Sequence, residues 1–148
     1  MLVTNIWSCP SGAAPEIFWA LTGLRERLEP PGEVLLTGSV TLPNGSEVQW
    51  QDSLGLTELL ELDGSQAAET LAALGHPVRL QLLQQVLRGV QTAAALTATE
   101  GLGTSGQVYH HLRLLVTAGW LRTKQRGSYE VPAARVVPLL VAILAARP

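Results

Sequence analysis

The sequence holds a single cysteine, Cys9, so no intrachain disulfide can form, and a reducing compartment fits. Charge is also scarce: 15% of residues are charged against 47% hydrophobic, a balance that supplies a core and excludes bulk disorder. Long apolar runs are absent. The longest, residues 136–146, is too short to span a bilayer. The N-terminus lacks a basic segment followed by a clean apolar stretch, so no signal peptide is expected. These absences together predict a cytoplasmic chain without a membrane span. In that setting Asn44-Gly45-Ser46, although it matches a glycosylation sequon, is read as a turn.

Chemistry-bearing constellations are missing as well. No serine, cysteine or carboxylate set stands at motif spacing, and Glu100 and Glu130 lack an obvious histidine partner, so no enzyme is expected. Gly101-Leu102-Gly103-Thr104-Ser105-Gly106 matches GxGxxG, but a dinucleotide site needs a strand before it and an acid about twenty residues later. Here an Ala-rich helical segment precedes it and Lys124-Gln125-Arg126 follows at that distance, so it is read as a turn and no cofactor is expected. His110 and His111 point about 100° apart on a helix and cannot clamp one ion from one face, so no metal site is expected either. His76 is better placed to cap the helix opened by Pro77.

Acids are absent from residues 101–129, which hold four cations: Arg113, Arg122, Lys124 and Arg126. The overall charge of −2 hides this asymmetry. Residues 1–63 carry a net −7 and residues 64–148 a net +5, a split that points to nucleic-acid contact by the basic half.

The basic half has a definite order. Thr104 can cap a helix, with Gln107 three residues later completing a capping box. Gly119 stands at the left-handed position that ends it, and Trp120 follows as its hydrophobic partner. Between them Val108, Leu112 and Leu115 make one buried stripe at the 3.6-residue period. Gly106, Tyr109, His110, Arg113 and Thr117 lie opposite. Residues 121–123 and 128–131 read as short strands around a polar turn, residues 124–127. Upstream, Ser65 caps a helix over residues 65–74, Pro77 opens one over 77–88 stopped by Gly89, and Thr92 caps a short one over 93–99.

This order carries a resemblance. The run Leu74-Gly75-His76-Pro77-Val78-Arg79-Leu80-Gln81-Leu82-Leu83 is similar to the helix-opening signature of ArsR-type winged-helix repressors. Val108-Tyr109-His110-His111-Leu112-Arg113-Leu114-Leu115 with Ala118-Gly119-Trp120-Leu121 resembles their recognition helix and the start of their wing. The similarity covers roughly residues 65–146. The turn before the helix, residues 100–103, is one residue longer than the family's, and the paired-cysteine motif of the metal-sensing members is absent. The resemblance implies a helix-turn-helix with a β-wing, double-stranded DNA as partner, and homodimers built with the terminal helices.

The expected fold is therefore mainly α with a small β part (α+β): a winged helix-turn-helix domain, residues 64–148, behind an acidic extension, residues 1–63. Thr104, Ser105, Gln107, Tyr109, His110 and Arg113 would face DNA from the helix, and Lys124 and Arg126 would hold phosphates from the wing. The expected function is a transcriptional regulator, with repression as its sign; the alternative is a winged-helix module that binds protein without specific DNA binding.

In the extension, Pro15 fits the first turn of a helix striped by Ile17, Leu21, Leu24 and Leu28 with Phe18 alongside. Residues 33–42 and 47–52 read as a hairpin. A three-residue loop, Pro43-Asn44-Gly45 with Gly45 left-handed, pairs Val40 with Val48 and Gly38 with Trp50 and keeps each face consistent. Residues 54–62 form a short helical or irregular connection. The last helix, residues 132–146, is apolar nearly all round and must be buried, a partner subunit being one place for it. The extension could complete a dimer, hold a small-molecule effector against Trp7, Trp19 and Trp50, or cover the DNA face with its acids.

Overall fold

The computed structural model describes residues 18–148 and has mixed α and β structure. The first helix, α1 (Trp19–Arg25), carries half-buried Leu21 and Leu24. Pro15, Ile17 and Trp7 lie outside the described residues.

Strands β1 (Glu33–Thr41) and β2 (Glu47–Gly55) pair antiparallel with Val40 opposite Val48 and Gly38 opposite Trp50, the register that a three-residue loop dictates. Gly45 takes φ of 83°, and the Leu42 amide donates to the Ser46 carbonyl at 2.8 Å to close the loop. β2 runs past Asp52 to Gly55 because β1 offers backbone partners as far as Glu33, so pairing continues through the polar Asp52-Ser53 step. A short helix, α2 (Leu56–Glu61), follows directly.

The next helix, α3 (Gly64–Ala72), is capped by Asp63 and not by Ser65. The Asp63 carboxylate accepts from the Ser65 amide at 2.9 Å and from its hydroxyl at 2.7 Å. A charged acceptor is the stronger cap and draws the helix start upstream. Helix α4 (Pro77–Leu87) starts on Pro77, with His76 Nδ1 accepting from the Val78 amide at 3.2 Å, and ends at left-handed Gly89. Arg79 reaches back to the carbonyls of Ala72 and Ala73, satisfying the open end of α3.

Helix α5 (Ala93–Thr97) is two residues shorter than the pattern predicts. The hydroxyls of Thr97 and Thr99 donate to the carbonyls of Ala94 and Ala95, offering the backbone a local alternative to another turn. Gly101 and Gly103, both at positive φ, then turn the chain into α6 (Ser105–Thr117). The closing hairpin is β3 (Arg122–Gln125) with β4 (Ser128–Glu130). Its turn is tighter than expected. Gln125 pairs with Ser128, Gly127 supplies φ of 73°, and Lys124 stands at a register shift inside β3. Upstream of α5, Thr92 bridges Ser128, the Ala93 amide donates to the Gly127 carbonyl and the Tyr129 amide to the Gln91 carbonyl, both at 2.8 Å. Residues 91–93 thus form a third, bridge-length strand beside β4.

The core lies where α4, α5, α6 and the last helix, α7 (Ala133–Ala146), meet, with Leu82, Leu83, Leu96, Leu112, Leu115 and Leu139 fully enclosed. Trp120 is buried there too, and its indole N–H donates to the Thr70 carbonyl at 2.9 Å, which joins α3 to the end of α6. Part of α7 is covered from within the chain. The β1–β2 hairpin of the acidic half packs on it, and a Cβ at Gly38 would stand 2.8 Å from Val137 Cγ1. Leu140, Val141 and Ile143 remain half-buried and Leu144 exposed.

Gly38→Val should destabilise the chain by about 1–3 kcal/mol in urea unfolding, because its side chain would meet Val137, which is buried and, being β-branched, stiff at χ1. Ser39→Val, on the other face of the same strand, should change stability by no more than about 0.5 kcal/mol. Equal effects at both positions would show that the hairpin does not dock on α7.

Candidate nucleic-acid interface

Helix α6 is fixed at both ends by its own sequence. At the start, the Thr104 hydroxyl accepts from the Gln107 amide, and Gln107 Oε1 accepts from the Thr104 amide at 2.9 Å. Gln107 folds over Gly103, where a Cβ would collide with its Oε1 at 2.6 Å, so this box requires glycine there. At the other end Gly119 takes φ of 78° and the Trp120 amide donates to the Leu115 carbonyl at 3.0 Å. Val108, Leu112 and Leu115 are enclosed, so the roll of the helix is set and the opposite face stays in water.

That outer face presents Gly106, Tyr109, His110, Arg113 and Thr117. Tyr109 is 46% exposed. Ser105 is exposed in the first turn, and Thr104 and Gln107 lie at its edge with their cap atoms already paired. Leu114 and Val116 border the face and are partly exposed.

The hairpin cations divide in two. Arg122 Nε stands 2.6 Å from Glu130 Oε1, and Lys124 Nζ stands 3.5 Å from Glu130 Oε2. The hydrogen bond from Arg122 is the main reason that the Glu130 carboxyl is held below the usual carboxylate range; burial opposes it, and the charges of Arg122 and Lys124 add to it. The acid that directly follows the acid-free stretch therefore folds back onto two of its four cations. Lys124 shares its charge with Glu130, whereas Arg126, at the hairpin tip, and Arg113, on α6, have no ion-pair partner among the described residues.

His110 and His111 point apart, as their spacing requires. His110 is on the exposed face, whereas His111 is half-buried with its ring 4.6 Å from that of His76. Its Nδ1 is buried with no hydrogen-bond partner among the described residues. Burial lowers the His111 pKa, and the charges of His76, Arg79 and His110 lower it further. Among the described residues no three or more His, Cys, Asp and Glu side chains gather as a metal site, and no helix is long and apolar enough to cross a membrane.

Sequence reasoning passed over Arg135, whose guanidinium lies 4.9 Å from the Trp120 ring centroid and shields the end of α6. It also passed over the rung at residues 91–93, which anchors the hairpin beside α5. Two residues between Gly89 and the Thr92 cap are too few for an alternating pattern to register. Of the tryptophans weighed for an effector, Trp19 is 69% exposed, and with Trp50 it borders an open groove of about 600 Å³ that also holds Thr37, Ser39, Gln49 and Gln51. No protein-family model, curated protein or solved structure shows a significant match to the chain.

His111 makes stability depend on pH in a known direction. Its folded-state pKa lies below the ordinary 6.5, so the folded form favours the neutral ring. The full contribution is present above that value and is lost as pH falls below it, because the unfolded chain then binds the proton more readily. The melting temperature should drop between about pH 7 and pH 5, and His111→Gln should flatten that part of the profile. An unchanged slope in the variant would remove His111 as the cause.

Proposed function

We propose that the chain is a DNA-binding transcriptional regulator of winged-helix type, resembling the ArsR-type repressors, with α5 and α6 as its helix-turn-helix pair and β3–β4 as its wing. The observation that carries this reading is the pairing of a firmly capped helix, whose acid-free outer face bears Tyr109, His110 and Arg113, with an adjacent hairpin that holds Arg126 at its tip. Helix α6 has 13 residues and is about 20 Å long, a length that can lie along the major groove.

In this reading Arg113, free of any acid among the described residues, contacts guanine edges or phosphate. Tyr109 and His110 reach base edges or sugar. Thr104 and Ser105 approach the backbone at the helix start. Gln107 contributes least to base reading because its amide oxygen is held in the capping box. Arg126 holds a phosphate outright, and Lys124 does so in competition with Glu130. The functional unit is a homodimer in the cytoplasm that acts as a repressor, with a small-molecule effector as a candidate signal.

A second reading has its own support. Leu114 and Val116 are partly exposed beside the polar face, and Glu130 offsets two of the hairpin's cations. Both features suit a winged helix that binds protein instead of DNA.

Fluorescence anisotropy on random-sequence duplex and on DNA from upstream of the protein's own gene, at two salt concentrations, separates the readings. A regulator binds the upstream DNA far more tightly and loses affinity as salt rises. Arg126→Ala should then weaken binding to all sequences alike and flatten the logarithmic salt slope by about one unit, whereas Arg113→Ala should also change which sequence is preferred. Absence of binding to either duplex at low salt would favour the protein-binding reading.

A further inference from the structure

The open end of the β1–β2 hairpin and the helix that follows leave a run of large apolar side chains in water. Leu60 is 77% exposed, Val34 59% and Leu62 56%, and Leu54 and Leu56 are exposed as well. They gather at one end of the hairpin. Val34 and Leu54 are opposite each other in the hairpin register, and the Leu56 amide donates to the Gly32 carbonyl at 2.9 Å, which pins the start of α2 to the hairpin's open end. On α2, Leu59 turns inward, while Leu56 and Leu60, four residues apart, share the outward stripe.

Asp52 shares the strand face of Leu54, and Glu58, Glu61 and Asp63 stand on α2 and just after it, all exposed. Gly55 has no side chain, and the Glu58 carboxylate lies over it. Residues 28–78 contain eight acids and neither lysine nor arginine. Among the described residues none of Asp52, Glu58, Glu61 and Asp63 has an ion-pair partner. An apolar centre beside polar residues is the usual anatomy of a protein-binding surface. The sign of those residues selects the partner, because acids left without counter-charge repel one another until a cation is brought to them.

We propose that α2 and the open end of the β1–β2 hairpin form a docking surface for a basic amphipathic segment of a partner protein, whose apolar face covers Leu54, Leu56, Leu60 and Leu62 while its lysines or arginines meet Glu58, Glu61 and Asp63. The site lies on the acidic half of the chain, and it stands whether or not α6 binds DNA.

The test uses the full chain and a labelled peptide of about four helical turns with leucines along one face and lysines along the other, followed by fluorescence anisotropy. A second peptide replaces every lysine with glutamate. The lysine peptide should bind with an affinity that falls as salt rises, and the glutamate peptide should not bind. Two double variants, Leu60→Ser with Leu62→Ser and Glu58→Lys with Glu61→Lys, should each weaken binding by about tenfold or more. All four side chains are exposed, so the variants should keep the parent's circular dichroism and melting temperature; a variant that fails this is replaced by Leu60→Ala or Glu61→Gln alone. Failure of the lysine peptide to bind would overturn the proposal, as would binding that neither pair of substitutions weakens. Sedimentation equilibrium adds one more arm: a dimer abolished by the Leu60 and Leu62 substitutions would assign the surface to a second copy of this chain and overturn the proposal too.

Discussion

The indole of Trp120 is the point on which the basic half depends. It is 3% exposed, donates its N–H to the Thr70 carbonyl near the end of α3, and lies under the guanidinium of Arg135 from α7, while the Trp120 amide donates to the Leu115 carbonyl near the end of α6. Three elements distant in sequence are thereby referred to one rigid ring. A buried indole N–H without a partner is costly, so the Thr70 carbonyl must stay where it is, and α3 with it. Arg79 locks the same corner from the other side by holding the carbonyls of Ala72 and Ala73. The roll and axial position of α6 follow, and with them the direction in which Tyr109, His110 and Arg113 face.

What could be read from the sequence was what local chemistry decides. The caps at His76, Thr92 and Thr104, the left-handed stop at Gly119 and the stripe of Val108, Leu112 and Leu115 each depend on residues no more than a few positions apart. The β1–β2 register was legible for the same reason, since loop length and the two faces of the strand leave one consistent pairing. The start of α3 was misplaced because Asp63 and Ser65 are both good caps, and only geometry shows that the carboxylate takes the Ser65 amide. The reach of β2 to Gly55 was missed because strand pairing is decided by the partner's backbone and not by the polar residues Asp52 and Ser53.

Contacts across the chain were not legible. No pattern places Glu130 against both Arg122 and Lys124, because one register step in a hairpin decides whether an acid meets a cation or faces away from it. Arg135 reaching Trp120 and the β1–β2 hairpin seating Gly38 on Val137 are likewise products of the assembled fold. The last of these changes how α7 is understood. An all-apolar helix calls for cover on every side, and here the chain's own hairpin supplies some of it, so only part of the helix, Leu144 included, is left for anything else.

The charge of the whole molecule is a poor guide to what any one face does. At physiological salt the field of a surface charge fades over about 8 Å, so a phosphate near Arg113 responds to charges within a few side chains of it. No described acid pairs with Arg113 or Arg126, while Glu130 pairs with the two cations nearer the root of the hairpin. The same screening keeps Glu58 and Glu61 from being neutralised by the basic half, so their acidity is expressed where they stand. A chain of net charge −2 can in this way carry both a cationic face and an anionic one. The hairpin that leads to Glu58 and Glu61 is held on α7, with Gly38 against Val137, so where the acids stand is set by that packing and not by the charge of the cations.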